Sequence, residues 1–332
     1  MTRRTKLPIK VIEHQDPFTS EWIEQQANGA ERVLACDFYI LGAEAAKRVT
    51  GGYSFGLVVN IDHHAPTSAM RRRISSTNLA LERLSKCGEE PDDSVVIISH
   101  TDCDSVLSSG IVSGELPPDL RLGLAAIAAD HTGEANVIAD MLQELDNIRS
   151  VNLRADPQFA LEESDSSYLR YSHDLVRRYL ERGEDALDER AQNAIAQRQR
   201  KRSAAQEAVA RGDFTMLGGI ALATLPEKLD GELFPALLPD AQVILMSTRR
   251  DGLSRWESKI WLGLAAPEGS SLHDLNIREF DSAFGGRWNA GSNRRNGGTS
   301  IAPKEYAELL RLRLGSFDVK PAIPDQVPRD CI

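Results

Sequence analysis

Along the first third of the chain, apolar residues gather into short runs, and each run stops at a polar residue able to bind metal. Val33 to Cys36 (VLAC) stops at Asp37, Gly56 to Ile61 (GLVVNI) at Asp62, and Ser94 to Ser99 (SVVIIS) at His100. Runs this short and continuously apolar predict strands covered on both faces, as in a parallel sheet. GAEAAKRV and STNLALERLSKCG between them have the spacing of helices, which gives a βαβ rhythm. Ligand sites of such sheets form beyond the carboxyl ends of the strands, where the three polar stops lie. The stretch PPDLRLGLAAIAADHTGEANVIADMLQEL predicts helix interrupted at Asp130-His131-Thr132-Gly133, and residues 165–211 predict charged connecting helices. A second α/β block starts near Asp213, with FTMLGGIALATL, AQVILMS and SKIWLGLAA as strands and LDGELFPALL and SLHDLNIREFDSAF as helices. It ends in the glycine-rich GGRWNAGSNRRNGGTSI and a closing helix, PKEYAELLRLRL.

Composition narrows the function class. The 332 residues carry a net charge of -10, which argues against a stable complex with long nucleic acid. The basic runs at 71–73 and 198–202 read as solvated helix faces. Nothing approaches the roughly 18 consecutive apolar residues of a membrane span, and no apolar core follows the basic start, so the expectation is a cytoplasmic protein with no membrane partner. Cys36, Cys87, Cys103 and Cys331 show neither a C-x-x-C pair nor regular spacing, and are expected to be free thiols.

Chemistry concentrates in two stretches. In SHTDCDSVLSSG, His100, Asp102 and Asp104 sit at every second position, so on extended backbone they face one spot. Two carboxylates there repel unless a divalent ion holds both ionised. The same stretch also reads as an Asp/Ser turn capping the next helix. In NIDHHAP, residues 60–66, adjacent histidines reach one site only if the chain turns at the strand tip.

These motifs resemble the DHH phosphoesterase superfamily. SHTDCDSVLSSGI is similar to its His-x-Asp-x-Asp strand, NIDHHAP to the element that names it, VLACDF to its single-aspartate strand and AAIAADHTG to its helix-end aspartate. AFGGRWNAGSNRRNGG resembles the glycine-rich loop of the DHHA1 domain, with Arg287 where a histidine is usual. The His-x-Asp-x-Asp motif is placed after the DHH motif here, a rotated order that a site assembled in space tolerates. The resemblance implies an α/β architecture with a parallel-sheet DHH-type catalytic domain at 1–155, a helical connector at 156–212, a smaller α/β DHHA1-like domain at 213–316 and a tail at 317–332. It implies two divalent ions, manganese before magnesium: His100 and Asp102 on one, His63 and Asp104 on the other, Asp37 between them and Asp130 as a further ligand. His64 would face the phosphate and Asp62 would orient it. Gly285, Gly286, Arg287, Asn289, Gly291, Arg294 and Arg295 would bind substrate, the glycines by permitting backbone conformations and close approach that let amides surround an anion and the arginines by pairing with phosphate.

The expected activity is Mn-dependent hydrolysis of a phosphoester in a small nucleotide, dinucleotide or short oligonucleotide. A pyrophosphatase or polyphosphatase, a 5′ single-strand exonuclease, or a non-catalytic nucleotide-binding regulator are the other readings, and a homodimer is compatible with the sequence. His131 reads as a neighbour of the site or as exposed, and Trp288 as a base-stacking or packing residue. His14, His173 and His273 read as surface histidines, and Ser108 and Ser109 as the start of a tightly packed helix.

Overall fold

The structure, a computed structural model, describes residues 6–13, 17–156, 158, 163–225, 229–249, 254–317 and 331. His14 and nearly all of the 317–332 tail lie outside the described residues. The chain forms two compact units, one within 1–130 and 135–198 together with Cys331, the other within 131–134 and 199–325. Each has its own six-stranded sheet. Among the described residues, no helix is long and apolar enough to cross a membrane.

In the first unit the elements run β1 (Ile9–Val11), α1 (Ser20–Gln26), β2 (Arg32–Cys36), β3 (Lys47–Val49), β4 (Gly52–Phe55), β5 (Val58–Ile61), α2 (Ser76–Cys87), β6 (Ser94–Ile98), α3 (Cys103–Ser113), α4 (Leu120–Ile127), α5 (Val137–Ala155) and α6 (Asp165–Arg182). α7 (Glu189–Ala210) follows, with the division between the units inside it. The sheet order is β1-β6-β2-β5-β4-β3. β1, β6, β2 and β5 are parallel, whereas β4 and β3 are antiparallel. Alternation along the strands explains the two-sided burial. Leu34, Cys36, Val59, Ile61, Val96 and Ile98 join the core on one face, and Val33, Ala35, Val58, Val95 and Ile97 join a core with Ile23 of α1 on the other.

The helix expected over GAEAAKRV is absent: that stretch ends in β3, which turns back through Gly51 to β4. β4 packs closely on β5 at Gly52, whose φ is +154° and where a Cβ would lie 2.0 Å from the Asn60 carbonyl oxygen. The sheet is therefore mixed, with an antiparallel hairpin where a crossover helix was predicted.

The second unit contains β7 (Phe214–Leu217), β8 (Ile220–Thr224), a single-turn α8 (Phe234–Leu237), β9 (Val243–Arg249), β10 (Trp256–Leu262), β11 (Gly285–Gly286), β12 (Ala290–Ser292) and α9 (Pro303–Arg313), in sheet order β11-β12-β10-β9-β8-β7. FTMLGGIALATL is two strands, since Gly218 and Gly219 both take positive φ and close a two-residue hairpin. SLHDLNIREFDSAF forms only two short 3₁₀ turns, broken where Asn276 adopts φ 46°.

Three further expectations change. Cys87 and Cys331 form a disulfide, leaving Cys36 and Cys103 as buried free thiols. His173 is buried, with Nε2 2.9 Å from the Val106 carbonyl oxygen, rather than on the surface. The run at 71–73 is not a helix face but lies in a loop, with Arg71 and Arg72 half-buried, whereas the run at 198–202 lies on α7 with Gln199 and Arg200 exposed and Arg198 buried, donating to Gln143.

Candidate metal centre

β6, β2 and β5 are neighbours and parallel, so their carboxyl ends lie side by side. His100 follows β6, Asp37 follows β2, and Asp62-His63-His64 follows β5. Asp104 enters from the first turn of α3, and Asp130 from a π-turn over Ala128–Thr132, a wide turn that re-aims side chains and recurs at functional sites. Asp37 has φ 61°, a left-handed conformation that Asp tolerates better than most residues at a cost on the order of 1 kcal/mol.

Three groups of candidate ligand atoms result, each lying within 4.8 Å of one another: Asp37, His63, Asp104 and Asp130; Asp37, His100 and Asp102; and Asp37, His63 and His64. His63 Nε2 is 3.2 Å from Asp130 Oδ2, 3.5 Å from Asp104 Oδ2 and 3.7 Å from Asp37 Oδ1. His100 Nε2 is 3.2 Å from Asp102 Oδ2 and 3.3 Å from Asp37 Oδ2. Asp37 thus offers one oxygen to the His63 group and the other to the His100 group. All six expected ligands come together, and Asp62 Oδ1 lies 2.7 Å from His64 Nδ1. Asp102 fits both of its readings, because its Oδ1 caps α3 at Ser105 N while Oδ2 faces His100.

Residues not singled out from the sequence hold these carboxylates. Ser76 and Ser105 hydroxyls donate to the two oxygens of Asp37 at 2.9 and 2.8 Å. The Ser76 and Thr77 amides and the Thr77 hydroxyl donate to Asp104 at 2.7, 2.7 and 2.6 Å. These amides belong to the first turn of α2, whose free N–H groups suit an anion. The signal was the run Ser75-Ser76-Thr77 opening that helix.

The electrostatics is that of a cation site. Burial first, then the charges of Asp37 and Asp130, push the Asp104 carboxyl well above the usual range. Burial alone would lower the His100 imidazole, but Asp102 and Asp37 raise it well above its ordinary value. Burial opposes ionisation of Asp102 and Asp62, yet His100 and His64 respectively hold them below the usual carboxylate range. Two buried carboxylates and one half-buried one converging on one imidazole cannot all ionise cheaply without positive charge among them. A donor set of carboxylate oxygen with some imidazole suits Mn²⁺ or Mg²⁺.

The expected substrate residues lie in the second unit. Gly285 and Gly286 pair with Ser292 and Gly291 across β11 and β12, and Arg287 N donates to Ala290 O to close the hairpin. Of the two reasons expected for glycine, backbone conformation and close approach, the first does not apply, since none of Gly285, Gly286 and Gly291 takes positive φ. The second does: a Cβ on Gly286 would meet Gly291 Cα at 2.3 Å, and one on Gly291 would meet the Phe284 ring at 2.3 Å. Arg294 and Arg295 are exposed, and Arg294 pairs with Glu257 at 3.3 Å. Trp288 is 3% exposed, with His131 packed 5.7 Å from it, which favours packing over an open stacking platform. Asn289 Nδ2 lies 3.3 Å from His131 Nδ1, and His131 is buried rather than exposed. His273 is exposed, as expected of it.

No protein-family model matches the chain, and no curated protein matches it. Among solved structures it is similar to a pGpG-specific phosphodiesterase, PggH, from Vibrio cholerae, at TM-score 0.43 and 10% identity, over 86% of this chain and 98% of that one.

Proposed function

We propose that this protein is a metal-dependent phosphoesterase of the DHH type, hydrolysing a phosphoester bond in a small nucleotide, dinucleotide or short oligonucleotide. The observation that carries the reading is Asp37, whose two oxygens serve two adjoining donor groups. One ion would be held by His100, Asp102 and Asp37, the other by His63, Asp104, Asp130 and Asp37. Bound there, two divalent ions supply the positive charge that activates water and steadies the phosphate during in-line displacement.

The chain's own residues do the rest. Ser76, Ser105 and Thr77 fix the rotamers of Asp37 and Asp104, so the acidic groups are in place before substrate arrives. Asp62, buried and ionised, accepts the Nδ1 proton of His64 and leaves Nε2 to exchange a proton or hydrogen bond with the phosphate or leaving group. The hairpin from Gly285 to Gly291, with Arg287, Asn289, Arg294 and Arg295, would take the non-reacting part of the substrate.

The test is turnover across 3′-phosphoadenosine 5′-phosphate, linear and cyclic dinucleotides, short RNA, single-stranded DNA and pyrophosphate, with Mn²⁺ and with chelator. Hydrolysis of at least one small phosphoester that stops with chelator is expected. Tight nucleotide binding without turnover of any of them would return the protein to the class of binding regulators.

A further inference from the structure

The donor groups of the candidate metal centre are supported from different elements. Asp37 and Asp104 are held from α2 and α3 by Ser76, Thr77 and Ser105, whereas the turn that carries His100 and Asp102 is held from α5. Side chains alternate along extended backbone, so the residue between two that share a side faces away from both. Thr101 is that residue: it is 6% exposed, while the His100 and Asp102 side chains are 39% and 40% open. Its hydroxyl donates to Asp146 Oδ1 at 2.8 Å and accepts from Arg149 Nη1 at 3.3 Å. Both partners lie on α5, and hydrogen bonds to charged groups are stronger than neutral ones. Arg149 is fixed in turn, its Nη2 donating to Asp165 at the start of α6 and its guanidinium carbon 4.9 Å from the centre of the Tyr168 ring. Burial raises the Asp146 carboxyl, the Thr101 hydrogen bond lowers it and the charge of Asp102 raises it, so Asp146 lies within electrostatic reach of the turn.

Fastening α5 to the strand tip needs only one contact anywhere in the turn. Fastening it at the residue between two donors also sets where both of them point. We propose that Asp146 and Arg149 are positioning residues: acting through Thr101, they set the His100-x-Asp102 turn for a divalent ion, and the His63 group does not depend on them. The proposal rests on the phosphoesterase reading with its two ions, and it divides that centre into halves with separate supports.

The experiment measures binding, not turnover. Isothermal titration calorimetry with Mn²⁺ compares the full-length wild type with Thr101→Val, Thr101→Ser, Asp146→Ala and His100→Ala. Valine keeps the shape of threonine and removes the hydroxyl, and His100→Ala identifies which binding event belongs to the His100 group. Groups that orient metal ligands typically account for 10–100-fold in affinity, so Thr101→Val and Asp146→Ala should each weaken that ion by about tenfold or more and leave the other within about threefold. Thr101→Ser, which keeps the hydroxyl, should bind both ions within about threefold of the wild type. The unaffected His63 ion shows in the same titration that the fold is intact. Wild-type affinity in Thr101→Val, equal weakening of both ions, or no rescue by serine overturns the proposal. Failure of the two-ion reading shows separately, as a wild type that binds fewer than two Mn²⁺, and takes this proposal with it.

Discussion

In the proposed site Asp104 would link catalysis and stability in one side chain. Its carboxylate satisfies two amides of α2 while facing the charges of Asp37 and Asp130, so replacement has opposing effects. Alanine leaves both amides unpaired, at about 1–3 kcal/mol for each buried group, whereas asparagine keeps one acceptor, sets its Nδ2 donor against the other amide and removes the repulsion. Asp104→Asn should therefore lose at least about a hundredfold in Mn²⁺-dependent turnover. By thermal unfolding it should be less destabilised than Asp104→Ala in chelator, and Mn²⁺ should raise its Tm by less than it raises that of the wild type, since the His100 group remains. A Tm rise of equal size in both proteins would remove Asp104 from the ligand set. The pH dependence follows from the same charges. The raised Asp104 carboxyl contributes stability to the ion-free protein that is complete at low pH and is lost as pH rises from the ordinary carboxylate value through its folded value. The raised His100 contributes stability below its unfolded value that is lost as pH rises through the folded one. Asp102 and Asp62 act oppositely, their contribution being lost as pH falls through their lowered values. An ion must displace the protons on Asp104 and His100, so Mn²⁺ affinity should increase as pH rises through their raised values, with proton release. Calorimetry in buffers of different ionisation enthalpy checks this, and pH-independent affinity would contradict it.

Strand tips were legible because a buried strand must end where polarity begins, and β2, β5 and β6 end one or two residues before Asp37, Asp62 and His100. Asp37, His63 and His100 could thus be placed before their distances were known. The carboxylate supports at Ser76, Thr77 and Ser105 were not, since a hydroxyl at a helix start has the same local reason to be there whether it caps its own helix or anchors a neighbour. β3 and β4 were missed for a related reason: GAEAAKRV has helical composition, and only the pairing of β4 with β5 decides against it. Gly52→Ala tests that hairpin. The Cβ cannot avoid the Asn60 carbonyl, so the variant should lose at least about 2–3 kcal/mol in denaturant unfolding. Wild-type stability would mean that β4 does not lie where it is placed. In the glycine-rich hairpin close approach, of β11 to β12 and Phe284, demands glycine as expected, without the unusual backbone conformation that was expected beside it.

Covalent connectivity was the least legible, since nothing local marks Cys87 and Cys331, 244 residues apart, as partners. Alkylation and mass spectrometry of the denatured, unreduced protein should label two cysteines, Cys36 and Cys103, and all four after reduction. Disulfides persist in oxidising surroundings and are rare in a reducing cytosol, so four labelled thiols before reduction would show that the bond does not form in the protein as isolated. The acidic-imidazole centre lies wholly within the first unit, and everything proposed about catalysis depends on its holding a pair of ions around Asp37. Anomalous diffraction at the manganese edge from crystals grown with Mn²⁺ tests this most directly. Two peaks are predicted, one among His100, Asp102 and Asp37 and one among His63, Asp104, Asp130 and Asp37; no manganese at these groups, or ions bound only elsewhere, would contradict it.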